Sequence, residues 1–381
     1  MDGPRSWSWC DEKPPGTLVR MVGMLATQSA HLPASVHDQF AVRPGYLNAA
    51  SMGVPPRAAA AALSEALIDW QLGTATPPSY DPSIARARRL YAELVHVPVS
   101  WVAIGSQVSV FAGMVAASLP AGAEVLTAHG EFTSMTFPFH AQAHRGVTVR
   151  AVPLAHIAAE IRPTTALVSV SLVQSADGAV ADIEAITAAA RRYGAMTFVD
   201  TTQSTGWLPY DASTADFTIC GGYKWLCHPR GTAFFTVRPE LRETLVPTNA
   251  GWFAGDDPWS SIYLSELGLA DDARRFDVSP AWLSWVGAVP ALELLSSVGI
   301  EAIQRHDVAL ANDFRRGLGL PDGNSAVVSI RRDDAQWRLE SMGCRVAARA
   351  GAVRVAFHLW NTPDDVELAL RALWTGAPVT T

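Results

Sequence analysis

The stretch TFVDTTQSTGWLPYDASTADFTICGGYKWLCHPRGTAFF (197–235) decides how the rest of this chain is read. Its opening residues finish a short β-like run, MTFVD (196–200), and DFTIC (216–220) is a second such run that stops just before GGYK. Both are apolar, rich in β-branched or aromatic residues, and bounded by turn signals, which is the pattern of buried strands. Immediately upstream, DIEAITAAARRYG (182–194) reads as a helix, with Asp182 near its start and Gly194 past its end. A helix that feeds directly into a strand, with a further strand following, is the unit from which parallel sheets with helices on both faces are wound.

The alternation extends outward from that centre. WVAIGS (101–106) leads into the helix-like QVSVFAGMVAASL (107–119), and EVLTA (124–128) is a further strand followed by the irregular HGEFTSMTFPF (129–139). VTVRAVPL (147–154) and TALVSVSLV (165–173) read as buried strands, and the alanine-rich 57–70 as a helix with Leu63, Leu67 and Trp70 on one face. Past residue 248 the order changes. Residues 249–280 are rich in Gly, Asp, Pro and Trp and read as a long loop; 282–298 and 300–318 read as two helices. AVVSIRR (326–332), AQWRLESMG (335–343), VRVAFHLW (353–360) and DDVELALRALW (364–374) then compose a small α+β lobe. The expectation is an α/β chain: a large domain on a mainly parallel seven-stranded sheet over 54–245, an active-site or interface loop over 246–281, and a smaller C-terminal α+β domain over 282–381. GYLNAAS (45–51) lies in a segment, 44–53, that joins the small domain, and 1–43 is an irregular arm in which Met21 and Met24 offer alternative starts.

The chain has 381 residues, 49% hydrophobic and 17% charged, enough for a large core and more than one lobe. A formal charge of −7 without a basic run argues against a nucleic-acid groove, which needs clustered Lys and Arg. Cys10, Cys220, Cys227 and Cys344 are too scattered for a zinc site or a disulfide framework, so a reducing, cytoplasmic compartment is expected. No apolar run has the length of a membrane span, and the first residues lack a signal-peptide pattern.

Two residues of the central stretch carry chemistry. Asp200 stands at the C-terminal end of a buried strand, where open α/β sheets bind ligands. A carboxylate there caps a helix, shapes a turn, or pairs with a cation; a pyridinium nitrogen is such a cation, and the pair keeps the ring an electron sink. Lys224 follows the next strand end among Tyr223, Trp225 and Leu226. Apolar neighbours lower an amine's pKa, which suits a Schiff-base nucleophile and proton shuttle; the bland alternative is a solvated lysine in a Gly-rich loop. Gln203 is placed to donate to a ring oxygen.

The pattern V-D-x-x-Q-S-x-G, then D-F, then G-G-Y-K-W-L-x-x-P-R-G resembles the class V aminotransferase superfamily of fold-type I pyridoxal 5′-phosphate enzymes, from about Tyr46 to the end of the chain. Cysteine desulfurases, kynureninases, isopenicillin N epimerase-like proteins and hercynylcysteine sulfoxide lyases belong to it. The resemblance implies Lys224 as the catalytic Schiff-base lysine and Asp200 and Gln203 as ring partners. It implies Ser106 and Gln107 as a phosphate cup at a helix start, Phe132 as a ring-stacking aromatic, and Tyr223 and Trp252 as phosphate contacts. Ser279 takes the place of a Thr that crosses a dimer interface, which implies a homodimer with shared active sites. Arg354 in VRVAFHLWNTPDD (353–365) resembles the arginine that forks onto the substrate α-carboxylate, with Arg349 a second candidate and Asn48 a further substrate contact.

The chain departs from the desulfurases in its cysteines. Cys344, in ESMGCRVAARAG (340–351), matches an apolar position after a helix-capping glycine rather than a catalytic loop, and Cys227 falls where relatives vary. The resemblance then leaves a lyase that eliminates a β-substituent, sulfur from a cysteine conjugate, as the leading expectation. Transamination or epimerisation of an amino acid is the alternative, with desulfuration and kynurenine hydrolysis behind it. A catalytically silent cofactor-binding scaffold is the non-enzymatic reading.

Overall fold

The computed structural model describes residues 31–374. Most of the expected arm, with Met21, Met24 and Cys10, lies outside the described residues. The described residues open with a single turn, α1 (Ala34–His37), and then two helices, α2 (Arg57–Leu72) and α3 (Asp81–Leu94). Pro55 and Pro56 precede α2, and Gly73 ends it in the left-handed region at φ 71°.

The large sheet follows: β1 (Val102–Gly105), α4 (Val108–Ser118), β2 (Glu124–Ala128), α5 (Thr133–His140), β3 (Thr148–Val152), α6 (Ile157–Glu160), β4 (Thr165–Ser171), α7 (Ile183–Tyr193), β5 (Met196–Asp200), β6 (Phe217–Gly221) and β7 (Ala233–Val237). The strands lie in the order β1-β7-β6-β5-β4-β2-β3, and β7 alone runs antiparallel to its neighbours. This is the mainly parallel seven-stranded sheet expected. Side chains alternate faces: Phe198, Phe217, Ile219 and Phe235 join one core, whereas Val199, Cys220 and Phe234 join the other. Tyr91 of α3 stacks on Phe234 at 4.0 Å, and Phe111 of α4 stacks on Phe235 at 5.0 Å from the opposite side. Asp182 caps α7 by accepting from Ala185 N at 3.0 Å, and Gly194 ends it at φ 72°.

Two local expectations change. The segment read as irregular at 129–139 contains α5, although Thr, Phe and an internal Pro138 are poor helix formers. Met135 and Phe139, one turn apart, are fully buried in the core that holds Phe111, so packing overrides propensity. β3, read as buried, is the sheet edge and is half-exposed. Its β-branched residues do not distinguish a central strand from an edge, and Arg150 blunts that edge by pairing with Glu124 and Glu160 at 3.1 Å each.

The 246–281 stretch holds short 3₁₀ turns at Trp252–Ala254 and Ala273–Phe276 and one isolated antiparallel bridge, Gly255 to Leu269. Its end is anchored by a buried pair: Asp277 takes two bonds from Arg88, at 3.0 and 2.6 Å, and one from Ile104 N at 2.8 Å. Then come α8 (Trp282–Val298), α9 (Ile300–Gly317), β8 (Val327–Ile330), α10 (Ala335–Ser341), β9 (Ala347–Arg349), β10 (Ala352–Ala356) and α11 (Pro363–Leu373). α8 packs on α2 and α3, with Trp282 stacked on Tyr80 at 5.5 Å. α9 departs from it at 83° across Gly299 and packs on α11. The strands β8-β10-β9 form a second, antiparallel sheet, and Tyr46 and Asn48 bridge to Arg345 and Ala356 beside it. No single described helix is long and apolar enough to cross a membrane.

Candidate active site

Parallel strands end their carbonyl side at one rim of a sheet, and this rim is where the polar residues gather. Ser171 on β4 pairs in register with Asp200 on β5, and Asp200 with Ile219 on β6, two residues before Gly221. A cavity of about 200 Å³ opens there, lined by Gln107, Phe132, Ser175, Asp200, Lys224 and Arg230 among others. A larger hollow of about 440 Å³ beside Trp70, Tyr80 and Trp282 contains no carboxylate, lysine, histidine or cysteine, so the chemistry is not there.

Lys224 is buried, with its Nζ 5.3 Å from the Phe132 ring centroid and 5.6 Å from that of Tyr223. Burial, then the charges of Arg354 and Arg349, lower its pKa to about 8 against the pull of Asp200. The sequence has 27 arginines and two lysines, Lys13 and Lys224. Lys224 is thus the one lysine among the described residues, in a chain that uses arginine for its other fixed cations. Asp200 is also buried, and burial raises it to about 6 although Thr202 N donates to Oδ1 at 2.8 Å.

The lysine loop is held closely. Gly53 N donates to the Tyr223 carbonyl at 2.9 Å, and a Cβ on Gly53 would fall 1.9 Å from the Lys224 carbonyl oxygen, so only glycine fits. Gln203 spends both amide hydrogens on Ala50 O (3.0 Å) and Ser175 Oγ (3.1 Å), while its Oε1 accepts from Trp225 Nε1 at 2.8 Å. In this arrangement it braces the lysine loop, with no amide hydrogen left to donate to a ring oxygen. Arg354, buried on β10, reaches the rim from the small sheet: Nη1 bonds to Ser175 O and, at 3.2 Å, to Ser175 Oγ, and Nη2 donates to Ser51 Oγ at 2.9 Å. Its Nε and the Asn48 Oδ1 are buried without a hydrogen-bond partner in the protein.

The structure does not bring every expected residue to the cavity. Gln107 holds the N-cap position of α4 and lines the cavity with Val108 and Ser109, whereas Ser106 and Asn48 do not, and Arg354 meets it only through its bond to Ser175, which does. Trp252 lies apart, packed on Trp259 at 4.8 Å and lining another hollow. Ser279 is exposed and Arg349 faces solvent at the β9 end. Two residues the sequence reading passed over are present. Arg230 stacks on Tyr223, its Cζ 4.9 Å from the ring, and Glu131 is a buried carboxylate that accepts from Phe132 N (2.8 Å), Ser171 N (2.8 Å), Ser171 Oγ (2.5 Å) and Gln174 Nε2 (3.0 Å). The dipeptide Pro229-Arg230 beside the lysine was a signal for the first; nothing local announced the second.

The aminotransferase class-V model matches residues 84–336. An uncharacterized aminotransferase of Bacillus subtilis, YcbU, is 31% identical over 309 residues, covering 74% of this chain and 81% of its own length. The chain belongs to the class-V aminotransferase family. A probable cysteine desulfurase of Synechocystis is 23% identical and covers 67% of this family member and 70% of itself. Among solved structures, a mutant of C-DES with glycine covalently linked to the PLP cofactor superposes with a TM-score of 0.82 at 22% identity, covering 89% of this chain and 99% of that one. The complex of the cystine C-S lyase C-DES with its product cysteine persulfide gives 0.81 at 22% identity, covering 88% and 99%.

As a class-V aminotransferase-family protein, the chain is an enzyme whose cofactor is pyridoxal 5′-phosphate. The residues present fit that group. A buried carboxylate and a buried amine line one cavity, an aromatic ring forms a wall, and the amino terminus of α4 with Arg230 supplies positive potential for a phosphate.

Proposed function

We propose that this enzyme is a lyase that eliminates a β-substituent from an amino acid, the sulfur of a cysteine conjugate, with Lys224 as both the amine that carries the cofactor and the base that takes the α-proton. When bound, pyridoxal 5′-phosphate supplies an aldehyde that condenses with amines and a protonated ring that accepts the electron pair left at the α-carbon. Asp200, buried at the end of β5, would hold the ring nitrogen protonated, and Phe132 would cover the ring. The first turn of α4 and Arg230 would take the phosphate, with Tyr223 between Arg230 and Lys224. Arg354 would fork onto the substrate α-carboxylate by exchanging its bonds to Ser175 and Ser51, with Asn48 nearby on the strand-like segment beside β10. An amine whose pKa is lowered to about 8 has a basic form available near neutrality.

The observation that carries the reading is the shared cavity of Lys224 and Asp200. Elimination is favoured over desulfuration because no described cysteine lines that cavity. Cys344 is fully buried in the small-lobe core, where burial raises its thiol to about 11, and Cys220 and Cys227 are buried as well. A persulfide-forming route needs an accessible thiolate. Transamination is the second reading, favoured by the B. subtilis relative described as an aminotransferase. The same proposal includes a homodimer with a shared active site. Leu67, Ile68, Trp70 and Leu72 are exposed apolar residues on α2, and Ser279 and Trp252 lie outside their own chain's cavity, as residues serving a partner's site do.

The test is a product assay on the purified holoenzyme with a panel of S-substituted cysteines. Pyruvate and ammonia in equal amounts support elimination; turnover only with a keto-acid acceptor, and no free ammonia, replaces it with transamination. Lys224→Ala should abolish the borohydride-sensitive visible band, and a retained band removes the lysine from its role.

A further inference from the structure

His358 and Asp307 are both fully buried, and the mechanism above uses neither. The His358 ring has an acceptor at each nitrogen: Nδ1 lies 2.8 Å from Asp307 Oδ2, and Nε2 lies 2.9 Å from the backbone carbonyl of Trp225. A neutral imidazole donates once, so the imidazolium is the form that satisfies both carbonyl and carboxylate. Burial opposes that charge, and the Asp307 carboxylate, 2.8 Å away, outweighs burial and raises the histidine. Cys227 and His306 are the other titratable groups that face it.

The position of this pair is what matters. Trp225 is the residue after Lys224, Asp307 stands on α9, and His358 follows β10 four residues beyond Arg354. Hydrogen bonds close the circuit from the other side. Trp225 Nε1 donates to Gln203 Oε1 at 2.8 Å, Gln203 Nε2 donates to Ser175 Oγ at 3.1 Å, and Arg354 Nη1 donates to the same hydroxyl at 3.2 Å. The lysine loop and the arginine strand are therefore tied twice, once through polar side chains and once through a charged pair.

Stability alone does not account for the pair. Asp307 Oδ1 has no hydrogen-bond partner although it is buried, and buried ion pairs replaced by apolar residues of like volume often leave stability unchanged or improved. We propose that His358, held by Asp307, is a positioning residue: its Nε2–H clamps the Trp225 carbonyl and so keeps Lys224 at its buried depth, in fixed register with Arg354. This rests on Lys224 being the reactive amine.

The experiment uses the double variant Asp307→Leu, His358→Met, which removes both charges and orphans neither. With two lysines in the chain, an amine-acylating anhydride applied to the full-length apoenzyme reports on Lys224 by peptide mass, with Lys13 and the amino terminus as references. The wild-type Lys224 reactivity curve should have its midpoint near pH 8. In the double variant the melting temperature should hold within a few degrees, while that midpoint rises by about one pH unit as water reaches the amine. Affinity for pyridoxal 5′-phosphate should fall roughly tenfold. An unchanged midpoint and affinity in a folded double variant overturns the proposal and leaves the pair a structural element. Should the double variant not fold, isosteric Asp307→Asn decides: the neutral histidine still reaches Trp225 through a weaker bond, so a smaller upward shift supports the clamp and no shift overturns it. A visible band that survives in Lys224→Ala would instead strike at the lysine assignment beneath it.

Discussion

The floor and the roof of the cleft are built differently. The floor, Asp200 and Lys224, comes from two adjacent strand ends only 24 positions apart in sequence. The roof, Arg354 bonded to Ser175 and Ser51, is gathered from segments 179 and 303 positions apart. On the proposed reading, the floor would handle the cofactor, which every reaction of the family shares, and the roof would handle the substrate, which differs among them. Changes in the floor should therefore alter the cofactor's own properties, and changes in the roof should alter substrate use while leaving the cofactor's spectrum as it was.

Asp200→Asn gives the sharpest break on the floor side. It keeps the shape and removes the counter-charge to a ring nitrogen, so kcat should fall roughly 10²–10³-fold and the absorption band of the bound cofactor should shift. A near-normal kcat with an unshifted band would erase the distinction at its strongest point. The floor also predicts a pH effect in the apoenzyme. Lys224 is lowered to about 8, below its unfolded value, so as pH rises through about 8 to 10.5 the native state releases this proton before the unfolded state does, and stability rises with pH. Lys224→Met should abolish that rise and stabilise the apoenzyme at pH 7 by about 2–3 kcal/mol, read from urea unfolding at several pH values. On the roof side, Arg354→Lys keeps the charge and loses the planar fork. KM should rise about tenfold with kcat little changed and the cofactor band unaltered. A shifted band there would show that floor and roof are not separable.

The same contrast explains what the sequence discloses. The α/β architecture, the strand ends and the Asp200–Lys224 pair are legible because they depend on local periodicity and on residues close in the chain. α5 was hidden because Met135 and Phe139 gain their helix from packing, and the edge position of β3 because β-branched residues look alike at the centre and rim of a sheet. Glu131 gives no local sign, since its four bonds come from Phe132 and from residues 40 or more positions on. The bracing of Gln203 is invisible for the same reason: its motif points to a ring oxygen, and its contacts lie with Ala50, Ser175 and Trp225. Ser106 and Ser109 are both serines near a helix start, and only backbone geometry distinguishes the one that reaches the cavity.

Gly53 presses its backbone onto the Lys224 carbonyl from one side, and His358 holds the next carbonyl from the other. Those two contacts come from opposite stretches of the gene product. During synthesis at about 5–20 residues per second, the 134 positions between Lys224 and His358 take roughly 7–27 s to appear. For that interval the lysine loop has the Gly53 contact without the His358 one, so the proposed clamp can close only after the strand that carries Arg354 has been made.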